Sequence, residues 1–144
     1  MKRLAVLVSG RGSNFEAIAR NIASGRLAAE IAIVISNNPE AKALETAAEL
    51  GIRSLSLPSK GLDSDTYAAK VREALAPLGI DLIVLAGFMR RVGAPLLEAY
   101  PQRILNIHPS LLPAFPGLDA QYQAWEYGVK VSGCTVHFVD EHLD

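Results

Sequence analysis

Asn106 and His108 stand two residues apart at the end of an apolar run, in Leu105-Asn106-Ile107-His108-Pro109-Ser110. If that run is a β-strand, both side chains project from one face, because residues two apart on a strand share a face. One is a neutral amide donor and the other a titratable imidazole. Such a pair can polarise a carbonyl and manage a proton, the two tasks of acyl-type transfer. The plainer alternative is that both hydrogen-bond to the Pro-rich stretch that follows. Ser110 beside His108 invites a hydrolase reading, but there is no Gly-x-Ser-x-Gly elbow and Pro109 restricts the backbone between them.

A second constellation, Ser9-Gly10-Arg11-Gly12-Ser13-Asn14-Phe15-Glu16, follows a short apolar run and opens a helical pattern. Ser13 with Glu16 three residues on has the form of a capping box, so the helix is expected to begin beside Ser13. The amides of its first turn, with the Ser13 and Asn14 side chains as extra donors, would face an anion. The segment is not the dinucleotide fingerprint, because Phe15 stands where the third Gly belongs and Ser36-Asn37-Asn38 offers no acidic residue for a ribose hydroxyl. Nor does a Gly-Lys-Ser/Thr follow, which excludes a Walker loop. What remains is either a cradle sized for a monophosphate or a tight strand-to-helix turn with a good cap.

A third is Leu85-Ala86-Gly87-Phe88-Met89-Arg90-Arg91-Val92. Gly87 would let a flat ligand approach the backbone, Met89 and Val92 would supply an adaptable apolar wall, and Arg90 could meet a carboxylate. An ordinary strand exit with solvated arginines is the alternative. The chain closes on Val139-Asp140-Glu141-His142-Leu143-Asp144. A carboxylate near a histidine favours the imidazolium form, which Asp144 could do for His108; a solvated acidic tail is the competing reading. His108, His137 and His142 lack the spacing of a helical zinc motif, His137 reads as a structural strand residue, and no metal site is expected.

Stepping these groups into position requires strands that end where they stand. Short apolar runs at residues 4–8, 31–36, 53–57, 81–86, 103–108 and 132–139 read as strands, separated by helical patterns at 14–24, 41–50, 65–75, 94–100 and 120–127. That alternation predicts crossover helices joining parallel strands, and the nearly continuous apolar runs at 31–35 and 82–85 fit a sheet covered on both faces. Gly51, Gly79 and Gly128 each fall just past a helical pattern, where a left-handed residue closes the last turn. The expected fold is a single α/β domain over 1–144, a doubly wound, mostly parallel Rossmann-like sheet. Open sheets of this kind bind ligands at the carboxyl ends of their strands, where all three strand-exit constellations lie. The irregular stretch 109–118 holds three of the eight prolines. Loops of that length in a compact domain are usually functional.

Composition narrows the classes further. Half of the residues are hydrophobic and 20% charged, which excludes disorder. Lys plus Arg number 14 against 15 Asp plus Glu, a net charge of −1 without a basic run, which argues against nucleic-acid binding. One cysteine, Cys134, cannot form an internal disulfide and points to a reducing compartment. With no run of about 18 apolar residues, no membrane association is expected and the localisation is read as cytoplasmic. The chain stops at Asp144 directly after a predicted strand, so a C-terminally incomplete form of the fold is one expectation.

Taken in order, Ser9 to Asn14, Leu85 to Arg90, Asn106-Ile107-His108-Pro109-Ser110-Leu111-Leu112-Pro113 with Phe115-Pro116-Gly117, and Gly133-Cys134-Thr135-Val136-His137-Phe138-Val139-Asp140 resemble the phosphoribosylglycinamide formyltransferase family of purine biosynthesis. The Asn-x-His and Ser-Leu-Leu-Pro pattern is shared with other enzymes that use 10-formyltetrahydrofolate, including methionyl-tRNA formyltransferase and formyltetrahydrofolate deformylase. The Gly-Ser-Asn turn and the proline of His108-Pro109-Ser110 resemble the ribonucleotide family specifically. The resemblance implies the formyltransferase fold, 10-formyltetrahydrofolate as the formyl-donor co-substrate, glycinamide ribonucleotide as acceptor, and no metal. It implies that Gly12, Ser13 and Asn14 hold the ribonucleotide 5'-phosphate. Met89, Arg90, Arg91, Val92 and Asn106 would line the folate pocket, faced by Asp140, Glu141, His142, Leu143 and Asp144. Asn106, His108 and Asp144 would be the catalytic set, stabilising an oxyanion and moving a proton while the substrate's own amine acts as nucleophile. A cis peptide at Leu112-Pro113 is implied as well. The family's folate-tail arginine has no counterpart in Leu62-Asp63-Ser64-Asp65-Thr66-Tyr67. A formyltetrahydrofolate deformylase, a weakly active phosphate- or folate-binding fragment, and a homodimer stay open.

Overall fold

The computed structural model describes residues 1–141. Its elements are β1 (Lys2–Val8), α1 (Ser13–Ala23), β2 (Ala29–Ser36), α2 (Lys42–Glu49), β3 (Ser54–Ser56), α3 (Ser64–Leu75), β4 (Leu82–Leu85), α4 (Ala94–Ala99), β5 (Ile104–His108), α5 (Ala120–Tyr127) and β6 (Thr135–Phe138), with a short 3-10 turn at Ala76–Leu78. They form one sheet in the order β3-β2-β1-β4-β5-β6. Every pairing is parallel except β5 with β6. This is the doubly wound, mostly parallel Rossmann-like fold expected from the alternation of runs.

The two-residue period of the strands divides the core into two layers. Ala5, Leu7, Ile33, Ile35, Ile83 and Leu85 face α3 and α4 through Tyr67, Ala68, Val71, Leu75 and Leu96. Val6, Val8, Val34, Val84 and Ala86 face α1 and α2 through Phe15, Ala19, Ala43 and Ala47. Both faces of the central strands are therefore dry, which explains why their sequences run apolar without alternation. Gly51, Gly79 and Gly128 take the left-handed conformation that the helix ends called for.

Several boundaries shift by one or two residues, and two larger departures from expectation have identifiable reasons. The last strand is half the length read from 132–139, because its partner β5 ends at His108, opposite Thr135. From there the Thr135 hydroxyl bonds the loop instead, donating to Ser110 O at 2.7 Å and accepting from Leu112 N at 3.0 Å. The capping box at the start of α1 does not form. Gly12 is the cap residue, in the left-handed region at φ 76°, and no side chain caps the helix. Glu16 pairs with Arg20 instead, at 2.6 Å.

The strand order reverses between β1 and β4, the two strands that leave the sheet in opposite lateral directions. A crevice outside their carboxyl ends is where such sheets take ligands. The Ser9–Asn14 turn leaves β1 there, the 86–92 segment leaves β4, and Asn106 and His108 end the adjoining β5.

Candidate active site

The first turn owes its shape to contact with α2. Ala43 N donates to Gly10 O at 3.1 Å, and a Cβ on Gly12 would lie 2.5 Å from the Ala43 Cβ. A side chain at residue 12 would collide with α2 and strain a positive φ, so glycine is required there. Phe15 is fully buried beneath the turn and anchors it. The first intrahelical bond runs from Glu16 N to Gly12 O, 2.8 Å. The amides of Ser13, Asn14 and Phe15 precede it and belong to the donors that a helix start leaves over. Ser13 and Asn14 are exposed and neither side chain caps the helix. The arrangement therefore presents main-chain donors, a hydroxyl and an amide to solvent at the positive end of a helix, the groups that suit a phosphate.

The 87–93 segment is clamped at several points. Met89 N donates to Ser9 Oγ at 2.8 Å. Arg90, read as a partner for a carboxylate, instead donates to Ser59 O at 2.9 Å and Leu62 O at 2.6 Å, with its guanidinium 5.9 Å from the centre of the Tyr67 ring. The β3–α3 loop places two carbonyls, and α3 an aromatic face, around the cation, which engage it without an acid. Tyr67 stacks on Phe88 at 6.2 Å and donates to Leu57 O at 2.8 Å. Its burial pushes the phenol up to about 12, with the nearby Arg90 charge opposing. At the far end Gly93 lies so close to Ser64 that a Cβ would meet Ser64 O at 2.3 Å. Ala94 N donates to Asp65 Oδ1 at 3.0 Å. Between these clamps Met89 is 64% exposed, while Phe88 and Val92 pack against the core.

On β5 the structure brings Asn106 and His108 to the carboxyl end as the spacing requires. Asn106 Nδ2 lies 3.2 Å from His137 Nε2, its directly opposite residue on β6. His137 Nδ1 lies 3.3 Å from Phe138 O. A carbonyl only accepts, so Nδ1 carries the His137 proton and Nε2 accepts from the amide. That uses one of the two Asn106 N–H groups and leaves the second for a ligand oxygen. His108 is buried, with Nε2 2.9 Å from Phe115 O, and by the same reasoning Nε2 is protonated. Ser110 is fully buried and donates to Ala114 O at 2.6 Å, which makes it a loop tie and not a nucleophile. The Leu112-Pro113 peptide is cis.

Residues 2–144 match the Formyl transferase family. The chain is 46% identical to the phosphoribosylglycinamide formyltransferase of Bacillus subtilis over 145 residues, covering all of this chain and 74% of that protein. It superposes on the crystal structure of glycinamide ribonucleotide transformylase 1 from Symbiobacterium toebii with a TM-score of 0.95 and 50% identity, covering 100% of this chain and 68% of that one. A formyltetrahydrofolate deformylase from Pseudomonas syringae is also similar, at TM-score 0.91 and 30% identity over 99% of this chain and 47% of its own. The chain belongs to the formyl transferase family. The resemblance drawn from the motifs is thus to the family that the whole chain matches, and the sheet is that of the formyl transferases.

Within this formyl transferase frame, Asp140 and Glu141 follow β6 and are exposed, and Val139 before them packs against the same core layer as Phe88 and Val92. His142, Leu143 and Asp144 lie outside the described residues. Among the described residues, no group of three His, Cys, Asp or Glu is gathered as a metal ion would need, and no helix is long and apolar enough to cross a membrane. Reading the sequence alone missed Asn37 and Ser59 and underrated Ser9 and His137. Ser9 Oγ donates to Asn37 Oδ1 at 2.5 Å, and Asn37 Nδ2 donates to Ser59 Oγ at 3.1 Å. The available signal was position: Ser9 and Asn37 are the first residues past β1 and β2, at the edge where ligands bind.

Proposed function

We propose that the chain transfers the formyl group of 10-formyltetrahydrofolate to the amine of glycinamide ribonucleotide in purine biosynthesis. The observation that carries this reading is the placement, at the carboxyl ends of one sheet's strands, of a solvent-open helix start after β1 that no side chain caps and, two strands across on β5, of an Asn106 amide with an N–H to give. A phosphate-bearing acceptor and a carbonyl-bearing donor would meet there. Similarity to relatives named for this activity supports the same reading.

In this proposal Gly12, Ser13 and Asn14 hold the 5'-phosphate, and Met89, Arg90, Arg91 and Val92 line the folate pocket opposite Asp140 to Asp144. The contribution of residues 89–92 is chiefly main chain and apolar surface, since the Arg90 guanidinium is held by Ser59 and Leu62. The acceptor amine attacks the formyl carbon, forming the new C–N bond. Asn106 donates its second N–H to the formyl oxygen as negative charge develops, with His137 fixing the amide. The bond to the folate nitrogen then breaks as that nitrogen takes a proton. His108 stabilises the oxyanion and supplies the proton, and the amine's own proton restores it, with Asp144 the third member of the proposed set. No covalent enzyme intermediate is required, which agrees with a buried, fully engaged Ser110.

The likeness to a deformylase favours a second reading, in which water replaces the amine. Following the absorbance change as 10-formyltetrahydrofolate becomes tetrahydrofolate, with and without glycinamide ribonucleotide, separates the two. Conversion that requires the ribonucleotide is expected. Conversion independent of it would establish hydrolysis, and calorimetric binding without turnover would reduce the chain to a binding domain.

A further inference from the structure

The polar contacts around the crevice between β1 and β4 form a circuit that begins and ends on the proposed folate segment. Met89 N donates to Ser9 Oγ, Ser9 Oγ donates to Asn37 Oδ1, and Asn37 Nδ2 donates to Ser59 Oγ. Ser59 O in turn accepts from Arg90 Nη1 at 2.9 Å. Five residues from the exits of β1, β2, β3 and β4 are thereby tied together. Main-chain bonds hold the middle of the circuit, with Asn37 N on Val8 O and Ser59 N on Asn37 O, both at 3.3 Å. Ser59 is buried. Ser9 is also the first residue of the turn that carries Gly12, Ser13 and Asn14, so one hydroxyl touches both halves of the crevice.

Resting on the function proposed above, we infer that Ser9 is a positioning residue for the formyl donor: its hydroxyl, oriented by Asn37, fixes the height of the Met89–Val92 main chain over the phosphate turn. The direction of each bond supports this. Because Ser9 gives its single proton to Asn37, its lone pairs point outward and can receive the Met89 N–H. That N–H spans the point where the strand order reverses, where no ladder hydrogen bond continues to set the gap. Met89 is exposed, so water can satisfy its N–H once Ser9 Oγ is gone. Removing the hydroxyl should loosen the spacing of the segment more than it destabilises the protein.

The test compares wild type, Ser9→Ala, Ser9→Thr and Asn37→Ala in ribonucleotide-dependent turnover and in amide hydrogen exchange. Ser9→Ala is expected to raise KM for 10-formyltetrahydrofolate roughly three- to tenfold, the effect of losing one hydrogen bond. KM for the ribonucleotide and kcat should stay within about twofold, as an effect confined to donor positioning requires. Exchange of the Met89 amide should accelerate while that of Ala86, which donates to Leu7 O, does not. Ser9→Thr, which keeps a hydroxyl, should restore both readouts, and Asn37→Ala should shift the same KM by less. A Ser9→Ala protein with unaltered KM and unaltered Met89 exchange overturns the inference and leaves the function standing. So does one whose two KM values rise together with a lowered Tm, the mark of a merely structural role. A wild type that neither converts nor binds 10-formyltetrahydrofolate overturns the function, and this inference with it.

Discussion

At the crevice between β1 and β4 the polar contacts rest on a core that is dry on both faces of the sheet, whereas beyond β5 the chain is held largely by hydrogen bonds. Val6, Val8, Phe15, Ile35 and Ile83 are all fully buried under the first region. Around the second, Leu118, Tyr122, Trp125, Tyr127, Val131, Val136 and Phe138 are exposed. There the loop after β5 takes its shape from Ser110, Thr135 and His108, each bonded to a main-chain group. The difference teaches that one site can draw rigidity from two sources. The proposed phosphate and folate elements are set by packing and then tuned by polar ties, while the proposed catalytic pair depends on the ties themselves.

The largest expected effect breaks this comparison directly. Phe15→Ala empties the floor of the first turn and should cost about 3–5 kcal/mol in urea denaturation. Trp125→Ala, on a helix face where that ring is 75% exposed, should change stability by no more than about 0.5 kcal/mol. Equal losses at the two positions would erase the distinction.

Gly12→Ala sharpens the comparison within the first region. The left-handed backbone alone should cost about 1–2 kcal/mol, and the contact with Ala43 adds to it. Under the function proposed, the KM for the ribonucleotide should rise more than that for the folate donor. Steady-state kinetics with each substrate varied in turn would check this, and equal shifts would detach the turn from the phosphate.

How far the sequence went can be judged from the same two regions. The strands were legible because runs such as Ile33-Val34-Ile35 and Ile83-Val84-Leu85 are buried on both faces and need no partner to declare themselves. Asn106 and His108 were legible because strand period and strand end are local properties. The cap on α1 was misread because the helix start is set by α2, through the approach of Ala43 to Gly12, and no local pattern encodes that. The carbonyl partners of Arg90 were not legible for a similar reason, since they lie 31 and 28 residues away in the chain. Ser9, Asn37 and Ser59 are small polar residues whose meaning arises only when four strand ends meet.

Smaller effects follow from titration. The Thr66 main-chain N–H and hydroxyl hold the Asp63 carboxyl below its usual value, and the Arg3 N–H does the same for Asp81. A carboxyl lowered in the folded state contributes stability above its unfolded value, which is lost as pH falls through the folded one. Tm should therefore decline below about pH 4, less steeply in Asp81→Asn than in wild type. Tyr67 gives the opposite sign. With its phenol pushed up from 10.0 to about 12, its contribution is complete below pH 10 and is lost as pH rises toward 12. Tyr67→Phe should flatten that alkaline decline in a Tm titration, and an unchanged slope would remove Tyr67 from it.

The central claim is that the Asn106 amide, held by His137, supplies the donor that meets developing negative charge. Its most direct test is kcat of Asn106→Ala in ribonucleotide-dependent formyl transfer at saturating substrates. A fall of roughly 10²–10³-fold, the usual cost of removing one such donor, is predicted. A fall of less than tenfold would contradict the account.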